Sequence, residues 1–354
     1  MDRNNLYIDF HVLQTVPPSC VNRDDTGSPK TAIYGGVTRA RVSSQAWKHA
    51  MREEFERIFA GEELGVRTKK VVDMLAAEIA ALRPEADANG LALKALGYIG
   101  IKIDSKKNES DVLCFFSPAQ AKALAALAVA KESDKKKYKA ALKGEPGYDM
   151  ALFGRMVAAD PSLNYDAAAQ VAHSISTHGV QTEYDYFAAV DDLSPEDNAG
   201  AGHIGTIEFN SATLYRYATV NVGELAGLLG RDAAKVVRGF AEAFIVSMPT
   251  GKQNSFGNRT RPDVIYAACR KDQPVNLCGA FEEPVKSRDG YVQKSAERLM
   301  NYARETYQDY VAEPALELGV GKALHGFMDT VSRDDLLDRV EKYAEDYLVQ
   351  REDG

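Results

Sequence analysis

Apolar and polar side chains alternate near the start of the chain, in the segment NLYIDFHVLQ of residues 4–13. Every second position from Leu6 to Val12 is apolar, and the positions between them carry Tyr, Asp and His. A period of two is typical of a β-strand with one buried face. The pattern therefore predicts a first strand, and the Pro- and Gly-containing stretch of residues 15–36 predicts a loop after it.

Residues 43–59, SSQAWKHAMREEFERIF, show helical periodicity instead. The two serines are suited to N-capping, and Trp47, Met51 and Phe55 follow at intervals of four. Side chains four residues apart share one face of a helix. The pattern predicts an amphipathic helix with an apolar stripe that packs against the rest of the protein.

The rest of the chain mixes helical and strand patterns. Helices are predicted for most of residues 61–165 and for residues 166–178, where Gly179 would end the helix. Two alternating stretches, which begin at residues 184 and 206 and are joined by the Gly-containing segment 194–205, predict a long β-hairpin. Further helices and short strands are predicted for the segments 224–247, 291–312, 332–350, DVIYAAC and PVNLCGAF. This mixture predicts an α+β fold with a compact sheet and large insertions.

The composition is that of an ordinary globular protein with an acidic balance. The chain has 354 residues, and 43 Lys and Arg stand against 51 Asp and Glu, which gives a formal net charge of −8. This charge argues against a general nucleic-acid coat, but charges more than about 8 Å apart are screened, so a local basic site is compatible with it.

Cysteine usage and hydropathy indicate the compartment. Cys20, Cys114, Cys269 and Cys278 include no CxxC pair, which indicates free thiols and neither a disulfide framework nor a zinc ribbon. No apolar run approaches the roughly 20 residues of a membrane span, and the first residues lack the pattern of a signal peptide. We therefore expect a cytoplasmic protein without a membrane partner.

Two glycine motifs lack the context that their chemistry needs. Gly200, Gly202 and Gly205 match the dinucleotide-binding spacing, but a polar loop precedes them and a strand pattern follows. A flexible loop is the favoured interpretation. The sequence Gly251-Lys252-Gln253 has Gln where a P-loop has Ser or Thr, so nucleotide hydrolysis is not supported.

Histidine spacing and a lysine run also favour structural interpretations. His173 and His178 are five residues apart, whereas a ligand pair on a helix needs three or four, so we expect structural or capping roles. The lysine run at residues 135–137 is interpreted as a solvated helix face.

Two pairs of adjacent carboxylates are candidates for a metal site. They are Asp24-Asp25 and Asp191-Asp192. Neighbouring side chains often diverge in strands and loops, and Asp is common at turns, so turn roles are favoured. Metal-dependent cleavage stays as the less favoured alternative.

Positive charge is concentrated near the N-terminus in spite of the acidic total. Between Cys20 and Arg52, two acids stand beside six basic residues, which are Arg23, Lys30, Arg39, Arg41, Lys48 and Arg52. On the predicted helix, Gln45, Lys48 and Arg52 form one stripe next to the apolar stripe. Lys48 and Arg52 would lie about 6 Å apart along the helix axis, which is comparable to one nucleotide step and suits successive phosphates.

The opposing interpretation of this stripe is a solvated helix face whose cations pair with Glu53, Glu54 and Glu56. A second basic loop, TGKQNSFGNRTR, favours nucleic-acid binding instead, because Lys252, Arg259 and Arg261 stand there among Asn, Gln and Ser. Loops of this composition suit sugar-phosphate contacts that do not read bases.

The same segments carry a family resemblance. In chain order they are HVLQTVPPSCVNRDD, AIYGGVTRARVSSQAWKHAMR, FGRM, HSISTH, DYFAAVDDL, GTIEF with LYRYA, and PTGKQNS. They lie between residue 11 and about residue 285. In these motifs and their order, the sequence resembles the CasC-type backbone subunit, of the Cas seven family, of the type I-E CRISPR Cascade complex.

The resemblance implies an RRM-like (ferredoxin-like) palm with a helical fingers insertion and a protruding thumb β-hairpin. The palm would comprise residues 1–60, 166–189 and 214–354, the fingers residues 61–165 and the thumb residues 190–213. The strands show no aromatic RNP signature, so the RRM-like palm rests on the resemblance alone.

The resemblance also implies a non-catalytic protein, without cofactor or metal, that oligomerises along a CRISPR guide RNA. Its partners would be the guide RNA, further copies of itself, other Cascade subunits, and target DNA that pairs with the guide. The thumb of one copy would displace a guide base at regular intervals. Sequence recognition then comes from base pairing, and the protein holds the backbone.

Residue roles follow from the matching motifs. Met156 would wedge at the displaced base. The thumb that presses on the kinked position would comprise Phe187, Val190, His203 and Ile204. Guide phosphates would be held by Asn22, Arg23, Ser43, Gln45, Lys48 and Arg52, with Lys252 and Gln253 beside them.

Two alternatives remain. The first is a metal-dependent endoribonuclease, as in the related type III backbone subunits, with Asp24 as the catalytic acid. The second is a stand-alone small-molecule enzyme, for which no motif has the required context.

Overall fold

The computed structural model describes residues 5–157, 160–189 and 203–352. Its contacts divide the chain into two compact units. The first, the sheet unit, lies within residues 1–54, 171–219 and 240–340, and the second, the helical unit, lies within residues 55–170, 220–239 and 341–354. The expected division into palm, fingers and thumb stays a prediction.

Strands occur along most of the described chain. In order they are β1 (Tyr7–Ser19), β2 (Thr31–Tyr34), β3 (Val37–Val42), β4 (Val66–Thr68), β5 (Ile103–Asp104), β6 (Glu109–Ser110), β7 (Cys114–Phe116), β8 (Ala169–Val171), β9 (Ser174–Ser176), β10 (Glu183–Ala189), β11 (His203–Asn221), β12 (Val264–Arg270) and β13 (Leu316–Val320).

Helices occur singly or in short runs between these strands. In order they are α1 (Ser44–Ile58), α2 (Val71–Leu82), α3 (Ala88–Tyr98), α4 (Pro118–Val129), α5 (Lys135–Lys143), α6 (Tyr148–Phe153), α7 (Val222–Leu229), α8 (Asp232–Val246), α9 (Gln253–Phe256), α10 (Val292–Asp309) and α11 (Arg333–Glu352). The predicted α+β class is confirmed.

Within the described residues, the main sheet has nine strands, with the central order β13-β12-β1-β11-β9-β3-β2. Strands β8 and β10 each pair with β11 outside this path. Strand β1 runs antiparallel to β12, with Phe10 opposite Ala267, and β3 runs antiparallel to β9, with Arg41 opposite Ile175. The chain therefore brings β3, which leads directly into α1, next to a segment more than a hundred residues later.

Strand β1 is buried on both faces, whereas the alternating pattern predicts one buried face. The ring of Phe10 lies 6.2 Å from that of Phe240, between ring centroids. The polar positions are buried because they have partners. The Tyr217 hydroxyl donates to Asp9 Oδ1 over 2.9 Å, and His11 Nδ1 lies 2.9 Å from the Tyr215 hydroxyl. Burial raises the pKa of Asp9 to about 6 and lowers the pKa of His11 to about 3.

The helical unit has its own core, built mainly by α2, α3, α4 and α5. Val72, Leu96 and Leu124 are fully buried in it. The prediction that residues 61–165 are rich in helix is confirmed. The lysines at the start of α5 are exposed, as expected for a solvated helix face.

The other long helices predicted from the sequence are present in the structure. The predicted helices at residues 43–59, 291–312 and 332–350 are confirmed as α1, α10 and α11, and residues 224–247 form two helices, α7 and α8. Two helices form there because Gly230, with φ +59°, ends α7.

Three of the secondary-structure assignments predicted from the sequence are wrong. Residues 166–178 contain β8 and β9 and no helix, because β9 pairs with residues far away in the chain, such as Leu214 opposite Ser176. PVNLCGAF forms a 3-10 helix, Leu277–Phe281, because the Asn276 side chain accepts a hydrogen bond from the Cys278 amide. The expected loop at residues 15–36 contains the end of β1 and all of β2.

Candidate nucleic-acid interface

Helix α1 is anchored by the apolar stripe that the sequence predicts. Trp47, Met51 and Phe55 are all buried. Trp47 Nε1 donates to Ser174 Oγ over 2.9 Å, and the Arg216 guanidinium lies 3.8 Å from the centroid of the Trp47 ring. Burial lowers the pKa of Arg216 to about 9. The first turns of α1 are therefore held against the sheet by a ring that has both a hydrogen bond and a cation–π contact.

The two other sides of α1 differ in charge. Ala46, His49, Ala50 and Glu53 line a hollow of about 550 Å³. At 100° per residue, the stripe of Gln45, Lys48 and Arg52 (the helix stripe) points about 120° away from that hollow. Gln45 is exposed, and Lys48 and Arg52 are half-buried. The helix stripe therefore has the position that the sequence predicts, beside the buried face.

The hollow itself is acidic. Its charged lining comprises Arg23 together with Asp24, Asp25 and Glu53. A phosphate there would meet three carboxylates near a single guanidinium, which is unfavourable. Arg23 and the helix stripe consequently lie on different sides of α1, although the sequence placed them in one phosphate-binding group.

Asn22 and Ser43 cap the start of α1. Asn22 Oδ1 accepts a hydrogen bond from the Ser43 amide over 3.0 Å, and Ser43 Oγ accepts one from the Ala46 amide over 3.3 Å. Ser43 is only 5% exposed. Both side chains thus fix the helix terminus. They orient the helix stripe, in addition to any contact with a ligand.

A second basic cluster, which was not singled out as a site from the sequence, lies just before α1. Arg41 Nη1 is 3.2 Å from His173 Nδ1, and Lys30 and Arg41 line a small hollow together with Asn22. Burial lowers the pKa of His173, and the charges of Arg41 and Lys30 lower it further. We call Lys30, Arg41 and His173 the strand cluster. The pairing of β3 with β9 creates it, so no local pattern could have shown it.

Arg39 does not contribute to this surface, although it was counted in the basic excess. Its side chain is fully buried and donates to the carbonyl oxygens of four residues, which are Tyr34, Ser176, Phe281 and Glu282. Burial lowers its pKa. Arg39 is a structural cation that satisfies backbone acceptors.

The second basic loop lies against the N-terminal loop. A Cβ atom on Gly251 would stand 2.1 Å from the Val21 carbonyl oxygen, so only glycine allows this approach. Burial raises the pKa of Cys20, and the charges of Arg23 and Lys252 oppose that rise, which indicates that both cations are near its thiol. Gln253 begins the short helix α9. The structure therefore brings Lys252 and Gln253 next to the N-terminal loop.

Another basic residue of this loop has an acidic partner on α1. Arg259 Nη2 lies 3.2 Å from Glu54 Oε1. Glu54 therefore pairs with a cation that lies outside the helix stripe, and the sugar-phosphate role expected of Arg259 competes with this ion pair.

Asp24 organises a turn. Its Oδ1 accepts hydrogen bonds from the Thr26 hydroxyl (2.7 Å), the Thr26 amide (2.9 Å) and the Ser28 amide (3.0 Å). The Thr26 hydroxyl bond and the amide bonds lower the pKa of Asp24. Among the residues that the structure describes, no group of three or more His, Cys, Asp or Glu side chains is placed to hold a metal ion.

The hairpin of β10 and β11 presents two different faces. Phe187 stands opposite Gly205, and Ala188 stands opposite Ile204. Because side chains alternate along a strand, Phe187 and Ile204 lie on opposite faces. A Cβ atom on Gly205 would be 2.5 Å from the Phe187 ring, so this ring covers the glycine. Gly205 is thus a strand residue, not part of the loop expected for this motif.

The other two predicted thumb residues are His203 and Val190. His203 is the first residue of β11 and stands opposite Ala189. Val190 lies outside the described residues. The four thumb residues therefore do not form one surface, since Ile204 is on the far side from Phe187.

Tyrosines dominate the Ile204 face. Tyr184 and Tyr186 are 67% and 68% exposed, and Ile204 is 54% exposed. We call β10 and residues 203–209 the arm. The arm contains Glu183, Asp185 and Glu208 and no Lys or Arg. Its accessible apolar groups are thus ring faces and an aliphatic chain, without a cation for a phosphate.

Met156 lies in the helical unit and is 87% exposed. The neighbouring Arg155 is buried, and its guanidinium donates to the carbonyl oxygens of Leu163 and Leu142 over 2.8 and 3.0 Å. Gly154, with φ +79°, precedes it. The FGRM motif therefore buries its arginine and leaves its methionine in solvent, which suits a wedge.

Comparison with known proteins defines the class. The chain matches a solved chain described as "CRISPR RNA-guided surveillance complex, pre-nicking", with a TM-score of 0.83, 33% identity, and coverage of 96% of this chain and 100% of that chain. A second match, to a "CRISPR RNA-guided surveillance complex", has a TM-score of 0.65, 30% identity, and coverage of 96% and 99%. The fold is thus that of subunits of CRISPR surveillance complexes.

The sequence profile of the CT1975-like protein family matches residues 8–340. The chain belongs to this CRISPR-associated family. No curated protein matches it. Within the described residues, no helix is both long enough and apolar enough to cross a bilayer.

Proposed function

We propose that this chain is the guide-RNA-binding backbone subunit of a CRISPR surveillance complex, of the CasC type found in type I-E Cascade. The support is the family membership, together with the similarity to solved surveillance-complex chains over 96% of its length. In this proposal the sheet unit contains the RRM-like palm, the helical unit the fingers, and the arm is the stem of the thumb.

The helix stripe carries the proposal. Lys48 and Arg52 are one turn apart on a helix that Trp47 anchors to the sheet, and the strand cluster adds Lys30 and Arg41 before the same helix. Lysine and arginine on a fixed helix suit phosphates, and such contacts are independent of base sequence. The proposed role of Asn22 and Ser43 is to fix the start of this helix, whereas Arg23 lies apart from the helix stripe, in the acidic hollow.

The arm supplies the second part of the function. We propose that it reaches over guide RNA bound by a neighbouring copy and that its tip displaces one base at regular intervals. The bases in between would pair with target DNA, and other Cascade subunits would bind the ends of the assembly. A surface of exposed rings without cations suits contact with bases better than contact with phosphates. A cytoplasmic location is part of this proposal.

The proposed protein has no catalytic activity, and no observation favours the endoribonuclease alternative. The free electron pairs of Asp24 Oδ1 are engaged by three donors. Incubation of the complex with complementary RNA and Mg²⁺ separates the two functions. We expect intact RNA, whereas regular cleavage that Asp24→Ala abolishes would establish the nuclease.

Co-expression with a CRISPR RNA tests the proposed function. The protein should copurify with RNA, and electron microscopy should show several copies along each guide. Guides of unrelated spacer sequence should give the same particles. Purification of a single RNA-free copy under gentle conditions would contradict the proposal.

A further inference from the structure

A second cationic concavity lies in the sheet unit, away from α1. It has a volume of about 690 Å³. Its walls are Val37 at the start of β3, Gly179 after His178, and residues between 284 and 294, which lead into α10 and form its first turn. We call it the Lys286 concavity.

The Lys286 concavity concentrates positive charge on an acidic protein. Lys286, Arg288 and Lys294 line it, and Asp289 is the one carboxylate among its lining residues. Lys294 Nζ donates to the Lys286 carbonyl oxygen over 3.3 Å, which links the Lys294 side chain to the backbone at Lys286. Within the described part of the chain, none of the three cations has an acidic partner within ion-pair distance. Converging cations in a concave surface attract an anion.

The walls of the concavity are fixed before any ligand binds. The rings of His178 and Tyr291 are stacked, with centroids 3.6 Å apart. His178 Nδ1 lies 2.9 Å from the Gly179 carbonyl oxygen, and its Nε2 accepts from the Thr213 amide over 3.1 Å. Both ring nitrogens are engaged, so His178 supports Tyr291 as a neutral ring. The Val285 amide donates to the Thr177 carbonyl oxygen over 2.9 Å, which pins the opposite wall.

The concavity is separate from the helix stripe and the strand cluster. Strand β3 begins at Val37, which lines the concavity, and ends at Val42. Helix α1 begins two residues later, at Ser44. At about 3.3 Å per residue, the ends of β3 are about 17 Å apart. This is roughly three nucleotide steps, so one phosphate cannot contact both sites.

A second hollow of about 340 Å³ adjoins the Lys286 concavity and shares Asp289 and Tyr291 with it. Its other charged lining residues are Lys322 and Asp263, and Asp263 accepts a hydrogen bond from the Thr15 amide over 2.7 Å. The excess of positive charge is therefore confined to the Lys286 concavity. Three cations in a concavity of about 690 Å³ suit several linked phosphates of one strand better than a single small anion.

We propose that the Lys286 concavity binds the sugar-phosphate backbone of a single nucleic-acid strand, at a site distinct from the one along α1. The proposal goes beyond the guide-binding function and does not require it. Lys286, Arg288 and Lys294 would contact the phosphates, and Ser287 would donate a hydrogen bond. The competing occupant is the acidic arm of a second copy, with Glu183, Asp185 and Glu208.

Fluorescence anisotropy with a labelled single-stranded DNA tests the proposal on the full chain. The test variant is Lys286→Ala/Arg288→Ala/Lys294→Ala. The control is Lys106→Ala/Lys107→Ala/Lys271→Ala, which removes the same charge from three exposed lysines that line neither cationic site. Both are also made in a Lys48→Ala/Arg52→Ala chain, in which the helix stripe cannot bind.

The test variant should bind the DNA at least tenfold more weakly. The slope of log affinity against log salt concentration should fall in magnitude by about 2, because each of the three lost phosphate contacts contributes about 0.7 to the slope on a single strand. The control should match the parent chain. Thermal melting checks that each chain is folded, and the single variant Arg288→Glu gives a second measurement if the triple variant unfolds.

Unchanged DNA affinity and slope in the test variant would overturn the proposal. Loss of self-association with normal DNA binding would assign the concavity to the arm of another copy, which also overturns it. The same measurement is also made with RNA of the same sequence. Equal loss for RNA and DNA supports phosphate binding, whereas loss for RNA alone would assign the concavity to the guide. Guide retention during purification, measured separately, reports on the proposed function and not on this site.

Discussion

The helix stripe and the arm are the two regions proposed to contact nucleic acid, and their chemistry is opposite. The helix stripe consists of Lys48 and Arg52 beside Gln45, on a helix whose other face is buried. The arm has exposed tyrosines, three carboxylates and no Lys or Arg. One region therefore suits phosphates, and the other suits bases.

This difference predicts different responses to salt. Contacts between cations and phosphates release counterions, so their affinity falls as the salt concentration rises. Stacking between rings and bases has little such dependence. The contributions of the helix stripe and the arm to guide binding can thus be distinguished by varying the salt concentration.

The largest effect is expected from the anchor of the helix stripe. Trp47→Ala removes a fully buried ring, its bond to Ser174 and the contact with Arg216, and should lower the free energy of unfolding by about 3–5 kcal/mol. Tyr186→Ala, on the exposed arm, should change it by no more than about 0.5 kcal/mol. Urea unfolding of both variants measures the contrast, and equal losses would contradict the account of α1.

The next effect separates the arm from the helix stripe. Tyr184→Ala/Tyr186→Ala should weaken binding of the guide by about 1–3 kcal/mol for each base that loses its stacking partner. The slope of log affinity against log salt should stay that of the parent chain. Tyr184→Phe/Tyr186→Phe keeps the rings and is the matched control. A changed slope in the alanine variant would mean that the arm affects phosphate contacts.

The smallest effect concerns the turn at Asp24. The Thr26 hydroxyl, then the amides of the turn, lower the pKa of its carboxyl below the ordinary value of 3.8. A lowered pKa in the folded protein means that the carboxylate stabilises the turn above pH 3.8 and that this contribution is lost as the pH falls through the lowered value. The Thr26 amide resonance, followed by NMR, should shift in acid, and Asp24→Asn should abolish that transition.

Local sequence patterns predict α1 well. Its serine cap, apolar stripe and charged stripe are all encoded within seventeen residues, 43–59, and the structure has each of them. The hairpin pairing is also predicted from its two alternating stretches. In both cases the interactions that define the element are close in sequence, so their periodicity is visible without the tertiary structure.

Other parts depend on contacts between distant residues. β9 is a three-residue strand held between β3 and β11, and nothing within residues 166–178 shows that pairing. The strand cluster arises from the same pairing, since it brings His173 to Arg41. The sequence alone suggests that Arg39 is a surface cation. The structure shows that its guanidinium is buried and donates to four backbone carbonyl oxygens, three of which belong to residues more than a hundred positions away.

The faces of the arm also required the structure. Register decides which residues share a face, and a shift of one residue would exchange them. The observed register places Ile204 with Tyr184 and Tyr186, and Phe187 with Gly205. The motif match assigned Phe187 and Ile204 to one thumb surface, because the motifs alone do not define the register of the two strands.

A salt titration of guide binding tests the central claim most directly, with the parent chain, Lys48→Ala/Arg52→Ala and two guides of unrelated spacer sequence. The account predicts that the double variant binds both guides equally weakly and that its salt slope falls by about 1.4, which corresponds to two phosphate contacts on a single strand. An unchanged slope, or a loss that depends on the spacer sequence, would contradict the claim that this helix holds the guide by its phosphates.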